Sequence, residues 1–283
     1  AMNSGMYANP IVQRNIETLS ALGYRFIGPE SGRLACGDVG AGRLAEPERI
    51  LDFVLHVGAG TGRPSLAGLR VVVTAGPTRE PIDPVRFITN RSSGKMGYAI
   101  AGAAAVRGAK VTLVSGPVFL PAPEGCEMVR VETACQMRDA TIDAAKEADV
   151  VVAAAAVADY MPASFSESKI KKSSGFGSLE LSRTPDILAE LGSAKGERVL
   201  VGFAAETDDL LSNAERKLSS KNLDMIVANM VGGEDSPFGA DHNTVTILCQ
   251  GAPPETFPAM SKLVLAHEIL DRISAICHHK ESN

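Results

Sequence analysis

The stretch Ala75–Asn90 (AGPTREPIDPVRFITN) leads into Ser92-Ser93-Gly94-Lys95-Met96-Gly97, just ahead of an alanine-rich run. Small hydroxyl residues and glycines before a helix suit an anion. Backbone N–H groups and the positive helix end face it, and glycine lets it come close. Arg79, Arg86 and Asn90 share the loop. This chemistry points to phosphate; the alternative is a glycine-capped helix start. The spacing does not fit a dinucleotide fingerprint, because the 16 residues 75–90 separate the preceding strand pattern from the glycines. Val111–Ser115 also ends without the acidic residue that would hold an adenosine ribose.

Four further segments carry candidate chemistry. Ala153, Ala154 and Ala155 begin a run of small residues that leaves room for a planar ring, and it closes on Asp159, a candidate Mg²⁺ ligand or acceptor; tight packing plus a turn explains it equally well. Lys169-Ile170-Lys171-Lys172, followed by Ser-Ser-Gly, reads either as a solvated face or as a basic flap over a polyphosphate. Thr184-Pro185-Asp186-Ile187 is a helix-start signature, with Asp186 also placed to meet a ribose hydroxyl. Lys217 and Lys221 fall on one helix face, where like charges repel unless an anion or acceptor lies between them. Cys36, among glycines, is either a small apolar residue or part of a lid.

The elements that must position these residues alternate. Apolar β-branched runs at Leu69–Thr74, Lys110–Val114, Asp149–Ala156, Val199–Ala204 and Met225–Ala228 predict buried strands. Helical patterns at Gly97–Gly108, Cys135–Glu147, Pro185–Leu191 and Leu210–Lys221 separate them. Asn243–Cys249 alternates as a strand nearer an edge, and Lys262–Ile276 as a closing amphipathic helix. The expectation is an α/β fold: a doubly wound, mostly parallel Rossmann-like sheet with helices on both faces and its site at the carboxyl ends of the strands. Before it, residues 1–55 show a helix at Ile11–Leu22, a short strand at Tyr24–Ile27, a glycine-rich loop at Gly28–Arg43 and a helix from Pro47. These are too few elements for a comfortable core. Residues 56–68 have a linker composition, leaving 69–283 as the main domain.

Composition sets the outer bounds. The 283 residues carry 28 basic and 33 acidic side chains, a net charge of −5, and 45% are hydrophobic. That excludes a general nucleic-acid binder and a disordered chain. No apolar run reaches membrane-spanning length. The five cysteines form no C-x-x-C pair, and no signal-peptide pattern is visible. A reduced, cytoplasmic protein is expected.

In order and spacing, AGPTREPIDPVRFITNRSSGKMG, AAVADY, KIKK, PDI and GFAAET, with KNLDMIVAN behind it, resemble phosphopantothenate–cysteine ligases, over residues 67–283. The first part resembles the tail of the flavin-dependent phosphopantothenoylcysteine decarboxylases: Ala1-Met2-Asn3 matches the end of their P-x-M-N motif, and Leu34–Asp38 (LACGD) their clamp loop with an acid-donating Cys36. The resemblance implies CTP-dependent joining of 4′-phosphopantothenate and L-cysteine through an acyl-cytidylate. It implies Mg²⁺, with FMN only in the full-length bifunctional protein, and a first part that is an inactive remnant. Asn90 would handle the acyl-cytidylate, with Arg86 beside it and Lys169 on the flap. Ala153, Ala154, Ala155, Asp159, Pro185, Asp186, Ile187, Leu188, Phe203, Lys217 and Lys221 would bind nucleotide, with Ser92, Ser93 and Gly94 at its phosphates. A homodimer through the ligase domain is implied, with higher assembly only alongside a decarboxylase core.

Two other classes compete. A short-chain reductase needs Tyr-x-x-x-Lys, but Tyr7, Tyr24, Tyr98 and Tyr160 are followed at the fourth position by Ile11, Gly28, Gly102 and Ser164. A non-catalytic nucleotide-binding module would bind nucleotide without releasing pyrophosphate.

Overall fold

Local capping chemistry sets the first helices of the computed structural model, which describes residues 1–283 except 35, 36, 38, 61, 62, 172–177, 232–239 and 282–283, and the side chains of 48, 52, 55, 56, 59, 60 and 281. Asn3 caps α1 (Ser4–Tyr7), and Asn9 caps α2 (Pro10–Ala21), accepting from the Ile11 amide at 2.9 Å. Pro10 occupies the first turn, where its missing N–H costs nothing. Gly23, at φ +91°, ends the helix in the left-handed region. The strand expected at Tyr24–Ile27 does not form. Its pairing falls instead within the expected glycine-rich loop, as an antiparallel ribbon of β1 (Glu30–Arg33) and β2 (Val39–Arg43). Gly42 lies against Met2, whose amide donates to its carbonyl at 2.8 Å; a side chain there would block that approach. Helix α3 (Pro47–Gly60) follows. The chain forms two units, residues 1–58 and 59–283.

The second unit runs β3 (Arg70–Ala75), β4 (Arg79–Pro81), β5 (Phe87–Thr89), α4 (Lys95–Val106), β6 (Lys110–Ser115), β7 (Cys126–Arg130), α5 (Ala134–Ala145) and β8 (Val150–Ala153). It continues with β9 (Tyr160–Pro162), β10 (Leu181–Arg183), α6 (Ile187–Ser193), β11 (Val199–Glu206), α7 (Leu210–Ser220), β12 (Met225–Met230), β13 (His242–Cys249), β14 (Glu255–Ser261) and α8 (Lys262–Glu281). Eight strands join in the order β14-β13-β12-β11-β8-β3-β6-β7. The pairs from β7 to β12 are parallel, and β13 and β14 are antiparallel. This is the doubly wound, mostly parallel sheet that the alternating pattern predicts.

Side-chain alternation divides the core between the faces. Val71 and Val73, Val150 and Val152, and Val199 and Val201 pack on one face, with α4 and α8. Val72, Val151 and Leu200 point the other way, onto α5, α6 and α7. Both faces are covered, so the strands read as continuous apolar runs rather than alternating ones. Helix α4 lies close to β3: a Cβ on Gly97 would sit 2.6 Å from the Ala75 Cβ and 2.9 Å from the Thr74 carbonyl oxygen. A capping box starts α5, with Thr133 accepting from the Gln136 amide. The sequence pattern misses β7 and β14. Pro258 in β14 is tolerated because that strand is at the sheet edge. Among the described residues, no helix is long and apolar enough to cross a membrane.

Candidate functional site

The winding direction reverses between β3 and β8, so the connections leaving their carboxyl ends part to opposite sides. Such a switch point leaves a crevice. Here it holds a cavity of about 900 Å³, within the size range of small-molecule sites. Most residues singled out from the sequence meet in its wall: Asn90, Ser92, Ser93 and Gly94; Ala153, Ala154, Ala155 and Asp159; Pro185, Asp186, Ile187 and Leu188; and Phe203, Lys217 and Lys221.

Short polar ties hold the wall. The Thr74 and Thr78 hydroxyls accept from the Ala155 and Ala158 amides at 3.2 and 3.0 Å. The Asn90 amide group donates to the Val157 carbonyl at 2.9 Å and the Ala156 carbonyl at 3.4 Å. The Ala156 amide in turn donates to the Gly76 carbonyl at 2.9 Å. Asn90 thus binds the loop after β5 to the loop after β8, and its donor serves that tie in this structure. Gly94, at φ +77°, is the N-cap of α4, and Gly94, Lys95, Met96 and Gly97 at that helix start line the cavity.

The charge balance of the wall opposes that of the chain. Six cationic side chains (Arg91, Lys95, Arg183, Lys217, Lys221 and Lys262) face two acidic ones, Asp159 and Asp186, among the described residues. Lys217 pairs with Glu206 at 2.6 Å, and Lys221 with Asp186 at 2.9 Å. Burial pushes the Asp186 carboxyl upward, but hydrogen bonds from Lys221 and the Ala189 amide outweigh it and hold the group below its ordinary range. Lys95 pairs with Asp241 at 2.6 Å. Burial and the nearby Lys95 pull the Lys262 ammonium below its ordinary value, against the opposing effect of Asp241. Lys95 and Lys262 are the first residues of α4 and α8. A cation is disfavoured at the positive end of a helix, so two such placements beside one cavity favour an anion within it.

Other candidates lie elsewhere. Lys169 is exposed and Arg86 half-buried, and neither is in the cavity wall. The Arg86 guanidinium is paired with Asp83 and donates to the Ile170 carbonyl. Cys36 and Lys172 lie outside the described residues. Asp159 faces the cavity, but no group of three or more metal-ligating side chains occurs among the described residues. The sequence pattern missed Lys95, Asn229, Asn243 and Lys262 as wall residues. For the two lysines a signal existed: each opens a helix where acidic residues are preferred. For Asn229, in an apolar strand, only its position at the carboxyl end of β12 marks it.

The family described as DNA/pantothenate metabolism flavoprotein C-terminal domain matches residues 66–276, and the flavoprotein family matches residues 1–57. A coenzyme A biosynthesis bifunctional protein CoaBC of Bacillus subtilis (strain 168) is 51% identical over 278 residues, covering 98% of this chain and 68% of the relative. A protein named cysteine/cysteine sulfinic acid decarboxylase, from an unknown prokaryotic organism, is 45% identical, covering 98% of this chain and 79% of its own length. Among solved structures, the C-terminal domain of a CoaBC protein superposes with a TM-score of 0.66 at 43% identity, over 76% of this chain and 98% of that one. The DNA/pantothenate metabolism flavoprotein of Streptococcus pneumoniae shares the fold, with a TM-score of 0.64 at 23% identity, over 74% of this chain and 99% of that one.

These matches correct what the resemblance implies. A CTP-dependent phosphopantothenate–cysteine ligase carrying an inactive decarboxylase remnant is not what they support. They span both parts of the chain, in proteins named as bifunctional, with a flavoprotein family on residues 1–57 and a decarboxylase among the relatives. The motifs that resemble the ligases all lie after residue 66, so they bear on one part only. Inactivity of the first part has no other support than where the sequence starts and a small number of elements, and neither measures activity.

Proposed function

Because this chain belongs to the bifunctional coenzyme A biosynthesis (CoaBC) family, we propose that it serves coenzyme A biosynthesis, with its second unit holding a phosphorylated, nucleotide-sized ligand. The observation that carries this reading is the excess of cationic over acidic side chains around one cavity, in a chain whose net charge is −5. Ser92, Ser93, Gly94 and the start of α4 are the proposed phosphate end, with Lys95 and Lys262 offsetting its charge. Ala153, Ala154 and Ala155 at the close of β8, with Phe203, offer small and planar surfaces for a ring. Asp186 and Lys221, which pair with each other, are the residues proposed to meet hydroxyl groups.

Unit 1 is proposed to belong to the flavoprotein part. The cavity described above is lined by residues of the second unit alone, so no residue is assigned to FMN and no step is derived through it. Mg²⁺ is likewise assigned no ligand set. Self-association is proposed through the β4–β5 hairpin, where Val85 and Phe87 are exposed.

Isothermal titration with the four ribonucleoside triphosphates and with 4′-phosphopantothenate tests the reading. At least one of these ligands is expected to bind, with affinity falling as salt screens the lysines. If none of them released or absorbed heat at low salt, the cavity would not be a phosphate site.

A further inference from the structure

We infer that Asp83 and Arg86 form a latch that grips the lysine flap by both peptide groups of Ile170, making them positioning residues for Lys169 and Lys171. The flap springs from the cavity rim. Tyr160 starts β9 and Arg183 ends β10, both line the cavity, and the two strands pair as a ribbon whose last tie is the Ala163 amide to the Glu180 carbonyl at 2.9 Å. Beyond that tie, the chain returns to the body beside the β4–β5 hairpin. The Ser166 amide donates to the Ile82 carbonyl at 3.1 Å. The Ile170 amide then donates to Asp83 Oδ2 at 3.2 Å, while Arg86 Nη2 donates to the Ile170 carbonyl at 3.0 Å.

Each member of the pair is itself fixed. The Asp83 side chain is fully buried and accepts from the Val85 and Arg86 amides, both at 2.9 Å, and from Arg86 Nε at 3.0 Å. The carboxylate pre-orients the guanidinium, and the guanidinium neutralises the buried carboxylate. One ion pair therefore presents an acceptor and a donor at the spacing of a single residue's N–H and C=O. Clamping Ile170 by its backbone sets the direction in which the chain carries its neighbours, Lys169 and Lys171. The fixed Pro-Ile-Asp-Pro-Val-Arg turn is thereby coupled to the angle at which the flap's cations stand.

The latch rests on the proposed function only for the ligand the flap would serve; its existence is tested without one. Native-state digestion of the full chain with trypsin reads the accessibility of the bonds after Lys169 and Lys171, with cleavage after the exposed Lys146 as reference. In Arg86→Gln, whose wild-type side chain is 41% exposed and so replaceable without a cavity, cleavage at the two flap lysines is expected to rise at least tenfold. Cleavage after Lys146, read well below the unfolding temperature, should stay put, while the thermal midpoint itself falls because the buried Asp83 carboxylate loses its counter-charge. Asp83→Asn should act in the same direction. Arg86→Lys, which keeps the charge but not the planar fork, should restore part of the protection. Unchanged flap cleavage in Arg86→Gln would overturn the latch, as would a rise matched at Lys146. If Asp83→Asn fails to fold, the two Arg86 variants decide alone. Titration of the wild type with nucleoside triphosphates is run beside it, and its failure would strike the ligand reading while leaving the latch standing.

Discussion

Lys262 shows how one residue can be costly to the fold and useful to the site. It is 8% exposed, lines the cavity and has its ammonium depressed below the ordinary 10.5, first by burial and then by Lys95. A depressed lysine means that the unfolded chain binds its proton more tightly than the folded one, so stability rises with pH between the two values. Lys262→Met should therefore raise the urea midpoint at neutral pH. That advantage should shrink as pH approaches 10.5 and vanish above it. The same variant should lose at least about tenfold in affinity for any phosphorylated ligand, since about 1.4 kcal/mol of attraction suffices for that. Calorimetry and denaturation on one preparation separate the two effects. Loss of affinity with an unchanged midpoint at neutral pH would contradict the burial account.

At the scale of elements, α4 would position the proposed anion end of the cavity, and Gly97 decides how close α4 lies to β3. Gly97→Val places a branched side chain where even a Cβ has 2.6 Å to Ala75. The helix must retreat or the strand must bend. The expected cost is about 1–3 kcal/mol in urea unfolding, the usual range for overpacking. Because Ser92, Ser93 and Gly94 move with the helix start, ligand affinity should fall with it. A stable Gly97→Val variant with full affinity would show that α4 does not set the site.

For the whole molecule, acid is the informative variable. Asp83, hydrogen-bonded by Arg86, lies well below its usual range. Glu190, hydrogen-bonded by Arg138, is also depressed. At Glu268 burial pushes upward, but Arg63 and Arg272 win and depress it. Asp241 is lowered by Lys95. Depressed carboxylates contribute in full above their unfolded values of 3.8 and 4.5, and that contribution is lost as pH falls through the folded values. Urea midpoints measured downward from neutral pH should hold roughly level to about 4.5 and then drop. A flat profile to about pH 2.5 would mean that these pairs do not hold in solution.

Much of this was legible along the chain. Apolar runs separated by helical patterns were enough for a doubly wound sheet, because strands buried on both faces must read that way. Ser92–Gly94, Ala153–Ala155, Pro185–Leu188 and the Lys217/Lys221 pair were legible as candidates because phosphate chemistry and helix starts leave local marks. The ribbon at β1–β2 and the edge strand β14 were not, since glycine and proline argue locally against strands and only a partner overrules them. The roles of Asn90, Arg86 and Lys262 were decided by tertiary structure alone. Asn90 spends its donor on a loop 66 and 67 residues away in sequence, Arg86 turns to Asp83 and the flap, and Lys262 becomes a wall residue when α8 docks beside α4. A side chain's type fixes which bonds it is able to make, but the partner it meets depends on chain closure over long separations, which no local pattern records.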